Sequence, residues 1–458
     1  MSLGTFSAGC HPHEGKDISK DKPVTVLLPA GELVYPVSQH IGAPAKPIVN
    51  KGDKVLVGTK IAEAGGFVSA CVLSSVSGTV KTIEPRLTVS GAMVDCIVVE
   101  NDGEYRTIDG YGVQRDVKKL SKDEIRNYIK EAGIVGMGGA GFPTHVKLTP
   151  KNPDDIDYCI VNGSECEPYL TSDYRMLLEE PEHVIGGLKI MVSLFDKAKG
   201  IIAIEDNKPE AVKKIRELVK DEPDIEVRVL KTKYPQGAER MLIKAITGRE
   251  INSKMLPADA GCIVDNVDTV IAIDNAVRFS IPLFRRIVTI TGDCVADPRN
   301  YNVRVGTLYS EVLKANGGFI KTPEKIISGG PMMGQSIYSI DVPVTKTSSA
   351  LLAFEKDPVG VIEPGPCIHC GRCITTCPEG LVPTKMYQVA QTGNLDAFKS
   401  LNGMECCECG SCAYGCPAKL PLTQAFKQMR RAVMDAAKAA AVKAAAANSA
   451  KQETKEKA

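Results

Sequence analysis

The chain of 458 residues has no tryptophan, an aromatic content of 5%, a net charge of only +1 and no long uncharged apolar run. Scarce rings and a body without basic excess argue against nucleic-acid binding, which needs a positive surface interleaved with stacking side chains. No window reaches the ~20 uncharged apolar residues of a membrane-spanning helix. The nearest, residues 186–204, is interrupted by Lys189, Asp196, Lys197 and Lys199, so membrane association is expected only through a partner or a surface. Sixteen cysteines are too sparse for a disulfide-stapled secreted scaffold, and the amino-terminal residues do not read as a signal peptide. What remains is a globular chain, 43% hydrophobic and long enough for about three domains. Its near neutrality is uneven: residues 419–458 carry nine Lys/Arg against three Asp/Glu, which leaves the rest mildly acidic. The alanine-rich and then polar stretch 438–457 is expected to be helical at first, frayed at its end and solvated.

The cysteines are not scattered. Cys367, Cys370, Cys373 and Cys377, with Pro378 following, are matched thirty-nine residues on by Cys406, Cys409, Cys412 and Cys416, with Pro417 following. The run resembles the bacterial ferredoxin signature, in which the fourth cysteine ligates the other of two [4Fe-4S] clusters. That crossed logic assigns Cys367, Cys370, Cys373 and Cys416 to cluster 1. It assigns Cys377, Cys406, Cys409 and Cys412 to cluster 2, which leaves Cys407 spare and His369 a bystander. Structural zinc usually takes two CxxC-like pairs, often with histidine, and does not need three thiols at three-residue spacing plus a distant fourth.

Upstream, residues 24–99 alternate short β-prone runs with turn signals, and 49–55 and 74–80 read as facing arms of a small sandwich. The module is similar to the lipoyl/biotinyl carrier fold but lacks its lysine triplet, so a structural or docking role is expected. Ser121 and Glu124 form a capping box ahead of a helix ending near Ala132. A glycine loop follows, Gly136-Met137-Gly138-Gly139-Ala140-Gly141-Phe142-Pro143-Thr144, and then a strand-like 158–161 running into Asn162-Gly163-Ser164-Glu165-Cys166-Glu167-Pro168. The loop contains GxGxxG, but a helix precedes it where the Rossmann fingerprint demands a strand. Glycines of this kind let backbone N–H groups approach a phosphate or a flat ring. Strands at 201–205 and 225–230 alternate with helices at 209–220 and after Gln236, an α/β rhythm.

GMGGAGFPTHVK followed by NGSECEP resembles the FMN- and NADH-binding domain of the complex I flavoprotein subunit, whose runs read GRGGAGFPTGLK and NADESEP; the likeness covers roughly residues 120–345. It implies that Gly136, Gly138, Gly139, Gly141, Lys147, Asn162 and Glu165 line FMN, and that Phe142 and Glu167 face the nicotinamide nucleotide. Gly237 and Glu239, in Tyr234-Pro235-Gln236-Gly237-Ala238-Glu239, match that family's YxxGEE, and Asn266, in Asp265-Asn266-Val267-Asp268-Thr269, matches its NNVET. Ser164 stands where the family has aspartate, and Ala238 where it has the first glutamate.

Residues 286–331 resemble the SLBB β-grasp domain of the same flavoprotein. The whole order resembles the RnfC family of the Rnf ion-translocating electron-transport complexes, whose GGxHP start is similar to Gly9-Cys10-His11-Pro12-His13. The resemblance implies a multidomain α/β and α+β chain: a barrel-sandwich β module at 1–115, an FMN/NADH-binding α/β domain at 116–284, an SLBB β-grasp domain at 285–345, a two-cluster ferredoxin-like α-helical segment at 346–430, and a basic Ala/Lys-rich tail at 431–458. It also implies two [4Fe-4S] clusters, FMN and NAD(H), hydride chemistry performed on FMN with no catalytic protein residue, and an NADH:ferredoxin oxidoreductase activity coupled to ion transport by partner subunits. Its partners would be other Rnf-type membrane and iron-sulfur subunits, NADH, and ferredoxin indirectly, at the cytoplasmic face of the membrane. A soluble flavin and iron-sulfur reductase of the cobalamin-reductase type, and a flavin-free iron-sulfur relay, are the alternatives. Cys10, Cys71, Cys96, Cys159, Cys262 and Cys294 read as small buried hydrophobes, and Cys166 as a thiol between two carboxylates.

Overall fold

In a computed structural model the described residues are 3–357 and 359–456, the helix beyond 442 being described by its backbone alone. The chain forms two compact units, one of residues 3–6 and 13–357, the other of residues 7–12 and 359–456.

The first unit contains four sheets. Glu32–Pro36, Met93–Asn101, Gly78–Leu87 and Lys54–Val55 lie side by side in that order, and Lys46–Pro47, Lys60–Glu63 and Val72–Leu73 form a smaller sheet. Their inward residues, among them Leu33, Tyr35, Val55, Ile61, Val72, Val80, Ile97 and Val99, make one buried core, as expected of a sandwich. The module begins later than residue 1. Gly4 pairs with Leu230 at the edge of the next domain, and residues 14–19 run across that domain, because the hydrogen-bonding partners of Glu14, Lys16 and Ser19 are there.

Next comes a four-stranded parallel sheet ordered Ile225–Leu230, Lys199–Glu205, Tyr158–Gly163, Cys262–Asn266. The chain enters at 158–163, steps outward twice, then returns to the opposite side of its first strand. The strand order therefore reverses between 158–163 and 262–266, and the crevice outside the carboxyl ends of such strands is where open α/β sheets bind ligands. Helices Pro181–Ser193 and Val267–Phe279 cover the sheet in close contact. A Cβ at Gly187 would lie 2.0 Å from Val270 O, so only glycine permits that approach.

A six-stranded sheet follows, ordered Thr25–Leu27, Arg299–Arg304, Arg285–Thr291, Ala350–Phe354, Lys325–Ser328, Gln335–Ser336, with helix Tyr309–Ala315. The sheet extends past 345, since Ala350–Phe354 pairs with both 289–291 and 325–328 through five consecutive largely buried apolar residues. It also recruits Thr25–Leu27 from the amino-terminal region.

The second unit is helical. Pro383–Thr392, Leu395–Ser400 and Leu422–Glu456 pack around Leu381, Met386, Phe398, Leu422, Phe426 and Met429. Residues 7–12 join it, with Gly9 N donating to Thr376 O. The alanine-rich stretch is one helix with residue 422 onward rather than a separate tail. The polar end of that stretch, expected to fray, is helical through Glu456, and residue 457 lies outside the described residues.

Candidate functional site

The capping box is formed: Ser121 Oγ accepts from Glu124 N, and the Glu124 carboxylate accepts from Ser121 N. Helix Lys122–Glu131 then stops at Gly133 (φ +66), and the glycine loop turns back on itself, Gly136 N donating to Phe142 O at 2.8 Å. Its tip is fastened to the first turn of the helix after the fourth parallel strand. Met137 N donates to Thr269 Oγ1 at 2.9 Å, and Met137 O accepts from Arg286. A Cβ at Gly138 would sit 3.2 Å from Asn266 Cβ, whereas Gly139 (φ +146) faces open space. The loop thus lies at the strand-order reversal, beside Asn266.

The other predicted polar residues converge on the same crevice from several segments. Asn162 Nδ2 donates to Gly237 O at 2.8 Å while its Oδ1 accepts from Ser164 N, and Gly237 N donates to Cys166 Sγ at 3.3 Å. Asn266 caps its helix by accepting from Asp268 N and donates to Asp173 Oδ2 at 2.7 Å. Glu167 accepts from Met332 N, Met333 N and the Tyr234 hydroxyl. Burial pushes the Glu167 carboxyl up to about 7, against those hydrogen bonds. Burial also raises Asp173, with the nearby Glu165 adding to it. Two residues are differently engaged. The Glu165 carboxylate is buried and caps helix Ser172–Glu179, accepting from Asp173 N at 2.7 Å and Tyr174 N at 3.4 Å. Lys147 donates to Val264 O at 2.6 Å and Asp265 Oδ1 at 3.1 Å, with Glu239 3.8 Å away, so its charge is already balanced. Phe142 is half-buried and Gly141 backs onto Thr347 and the 39–40 backbone.

Among the described residues several buried polar atoms here have no hydrogen-bond partner: Ser164 Oγ, both Nε2 and Oε1 of Gln236, Asp265 Oδ2, and Thr144 Oγ1 at the end of the glycine loop. Unpaired buried polar groups are costly and rare, so these atoms fit a site completed by a polar ligand such as FMN. Gln236 was not singled out from the sequence; its signal was its place immediately before Gly237. A separate groove lined by Tyr111, Glu180, His183, Arg285 and Arg304 shares no residue with the crevice, and no motif falls in it.

In the helical unit the eight cysteines gather as two sets. One hollow is lined by Cys367, Cys370, Cys373 and Cys416, the other by Cys377, Cys406, Cys409 and Cys412 with Cys407. The fourth cysteine of each repeat lines the hollow of the other repeat, the arrangement that the ferredoxin resemblance implies. The repeats share their backbone as well. His369 and Glu408 (φ 56 and 58) precede Cys370 and Cys409, and Gly371 and Gly410 (φ 75 and 84) follow them. These turns aim three thiols inward before the short helices Arg372–Thr375 and Ser411–Tyr414. Backbone N–H groups of Leu381 and Glu408 donate to the Cys377 and Cys406 sulfurs, contacts that would tune the potential of a cluster held there. Each hollow is lined by four thiols of the two repeats, the donor set of a [4Fe-4S] cluster; among the described residues no three His, Cys, Asp or Glu side chains converge as a single ion would need. Cys10, Cys71, Cys96, Cys159, Cys262 and Cys294 are all buried.

Four family models match in succession: the RnfC barrel-sandwich hybrid domain over residues 4–104, the Nuo51 FMN-binding domain over 129–275, the SLBB domain over 287–336 and a 4Fe-4S dicluster domain over 360–417. The chain is 43% identical over 389 residues to a component of the proton-translocating ferredoxin:NAD(+) oxidoreductase complex of Clostridium ljungdahlii, covering 85% of each chain. It is 42% identical to the counterpart in the Na(+)-translocating complex of Acetobacterium woodii, over 88% of this chain and 91% of that one. The chain belongs to the RnfC family. A third member, from the ion-translocating oxidoreductase complex of Rhodobacter capsulatus, is 37% identical over 86% of this chain and 77% of its own. The fold is shared with an NAD+-reducing [NiFe]-hydrogenase in its air-oxidized state, at TM-score 0.51 and 20% identity over 70% of this chain and 64% of that chain. For an RnfC protein the barrel-sandwich match over residues 4–104 is the one that carries the family's own description. Among the described residues no helix is long and apolar enough to cross a membrane.

Proposed function

We propose that this chain is the NADH-side electron-transfer component of an Rnf-type ferredoxin:NAD(+) oxidoreductase complex, exchanging electrons between NADH and ferredoxin while partner subunits move the ion. The observation that carries this reading is the pair of crossed four-thiol hollows in a chain that also builds a ligand crevice at a strand-order reversal. When bound, FMN supplies the conversion between a two-electron hydride and single electrons, and [4Fe-4S] clusters carry electrons one at a time.

The protein's contribution is positioning. Gly138 and Gly139 leave room for the flavin ring, and Ser164 Oγ with the Gln236 amide offer it unused hydrogen-bonding capacity. Asn162, Gly237 and Asn266 fix the crevice walls through the bonds described above. Glu167 and Phe142 face the nicotinamide nucleotide. Lys147 reaches a phosphate by leaving Asp265 and Glu239, an exchange of one anion for another. Cys367, Cys370, Cys373 and Cys416 hold one cluster, and Cys377, Cys406, Cys409 and Cys412 hold the second. The protein sits peripherally on the cytoplasmic face of the membrane, held by its partners.

Anaerobic reconstitution with iron, sulfide and FMN, followed by NADH titration under absorbance and low-temperature EPR, tests the reading. Bleaching of the flavin together with reduced-cluster signals is the expected result. If FMN binds and about eight irons are present but NADH reduces nothing, the chain is a relay without nucleotide input.

A further inference from the structure

The loop that carries Glu165 and Glu167 is folded around two buried ammonium groups. Lys208 Nζ donates to Ser164 O at 2.6 Å and lies 3.3 Å from Glu205 Oε2. Lys16 Nζ donates to Glu165 O at 2.9 Å, Glu167 O at 2.9 Å and Leu170 O at 2.5 Å, with Glu165 Oε2 3.9 Å away. A lysine ammonium has three N–H donors, and here each has a carbonyl. Burial lowers the proton affinity of Lys16, and the Glu165 carboxylate opposes that.

The segment that delivers Lys16 is fastened on both sides of it. Tyr169 N donates to Glu14 O at 2.7 Å, Asn207 Nδ2 to Glu14 Oε2 at 2.9 Å, and the Ser19 and Thr171 hydroxyls are 2.9 Å apart. Gly15 (φ +59) lies against the Tyr169 ring, where a Cβ would be 2.4 Å from the nearest ring atom. Within the loop, Glu165 and Tyr169 hold φ of 48° and 67°. Non-glycine residues keep such angles only when their surroundings impose them, and Lys16 sits where the intervening carbonyls meet.

We propose that Lys16 is a positioning residue for the nicotinamide nucleotide, its buried ammonium group gathering the carbonyls of Glu165, Glu167 and Leu170 so that Glu167 is presented against the turn at 332–333. The inference rests on the functional reading above. Without the ammonium group three carbonyls lose their donor, and peptides that turn to recover one carry Glu167 out of place. Ser164, on the flavin side of the loop, is held instead by Lys208 and Asn162, and among the described residues no hydrogen bond joins Lys16 to the glycine loop, Asn162, Gln236 or Asn266, so flavin binding is separable from this effect.

The test uses the full reconstituted chain, with NADH oxidation by an artificial acceptor, FMN and iron content, melting temperature, and amide hydrogen exchange over residues 164–171. Lys16→Met should raise the NADH KM by about tenfold or more, equivalent to about 1.4 kcal/mol of binding, while kcat, FMN and iron stay near wild type and exchange at 164–171 accelerates. Lys16→Gln, which keeps two N–H donors, should fall between the two and decides the matter if Lys16→Met does not fold. Ser19→Ala, which breaks a neighbouring contact and leaves the ammonium in place, should leave the NADH KM unchanged. A KM and an exchange pattern unchanged in the Lys16 variants overturn the proposal. So does loss of FMN together with a collapsed melting temperature, which would make Lys16 a general folding residue. A wild-type chain that binds FMN but is not reduced by NADH sinks the functional reading and this inference together; a working wild type matched by Lys16→Met sinks this inference alone.

Discussion

The crevice and the thiol hollows solve the same problem, holding a redox group, by opposite routes. Every sulfur lining the hollows comes from residues 367–416, and two copies of one short backbone pattern aim them. The crevice draws on Gly138, Asn162, Gln236 and Asn266, with Lys16 and Met332 supporting the loop from far up and down the chain. Covalent ligands at fixed spacing carry their own instructions. A site made of backbone groups, amides and buried charges exists only once the sheet has placed its parts.

The sharpest way to break this comparison is to remove the cofactors. The helical unit has a small core in which the cysteines proposed as ligands are themselves packing residues, so stripping iron should leave residues 367–416 open to proteolysis, since metal binding at such a site would also be folding energy. Removing FMN should leave the first unit, with its large independent cores, folded and its melting temperature changed by only a few degrees, roughly.

The crossing is tested by a double variant. Cys377→Ser combined with Cys406→Ser should still bind about four irons, because both belong to one hollow. Binding of almost none would mean that each repeat keeps its own four cysteines.

A smaller effect tests the crevice. Gly139→Ala adds a methyl group where there is open space and imposes about 1–2 kcal/mol of strain on a φ of +146°. It should weaken FMN binding by roughly tenfold in a fluorescence titration and leave the iron content unchanged.

The pH dependence should separate the units as well. Glu167, raised to about 7 by burial, prefers its protonated form in the folded chain, so its favourable contribution is complete below the ordinary carboxyl range and is lost as pH rises toward 7. Glu167→Gln should flatten the fall in stability of the FMN-free chain across that window by up to one proton, about 1.4 kcal/mol per pH unit, as read from denaturant midpoints. Least disruptive of all, Cys407→Ala should keep about eight irons; loss of a cluster would make Cys407 a ligand.

Much of this was legible beforehand for identifiable reasons. The Ser121–Glu124 box is a local hydrogen-bonding pattern, and it forms as read. The strands at 158–163, 199–205 and 225–230 are apolar runs between turn signals, and they appear within a residue or two of expectation. The crossed grouping of the thiols was implied by the likeness of the repeats to the ferredoxin signature. Less legible were the segments whose partners are remote. Residues 7–12 belong with the helical unit and 25–27 with the six-stranded sheet, and Ala350–Phe354 continues that sheet past its expected end. Nothing local in those stretches names the strand or loop they bond to. Glu165 looked like a crevice-lining carboxylate, but its backbone turns it onto the helix at 172.

The sequence by itself determined the chemistry of the clusters, the order of the modules and the helices with their caps, because these depend on residue type and on neighbours a few positions away. The tertiary structure alone decided that the fourth parallel strand returns beside the first, that Gln236 and Ser164 are buried unpaired there, and that Lys16 ends beneath a loop about 150 residues distant. Those outcomes depend on which long-range contacts best bury apolar surface and satisfy backbone groups together, a competition settled over the whole chain.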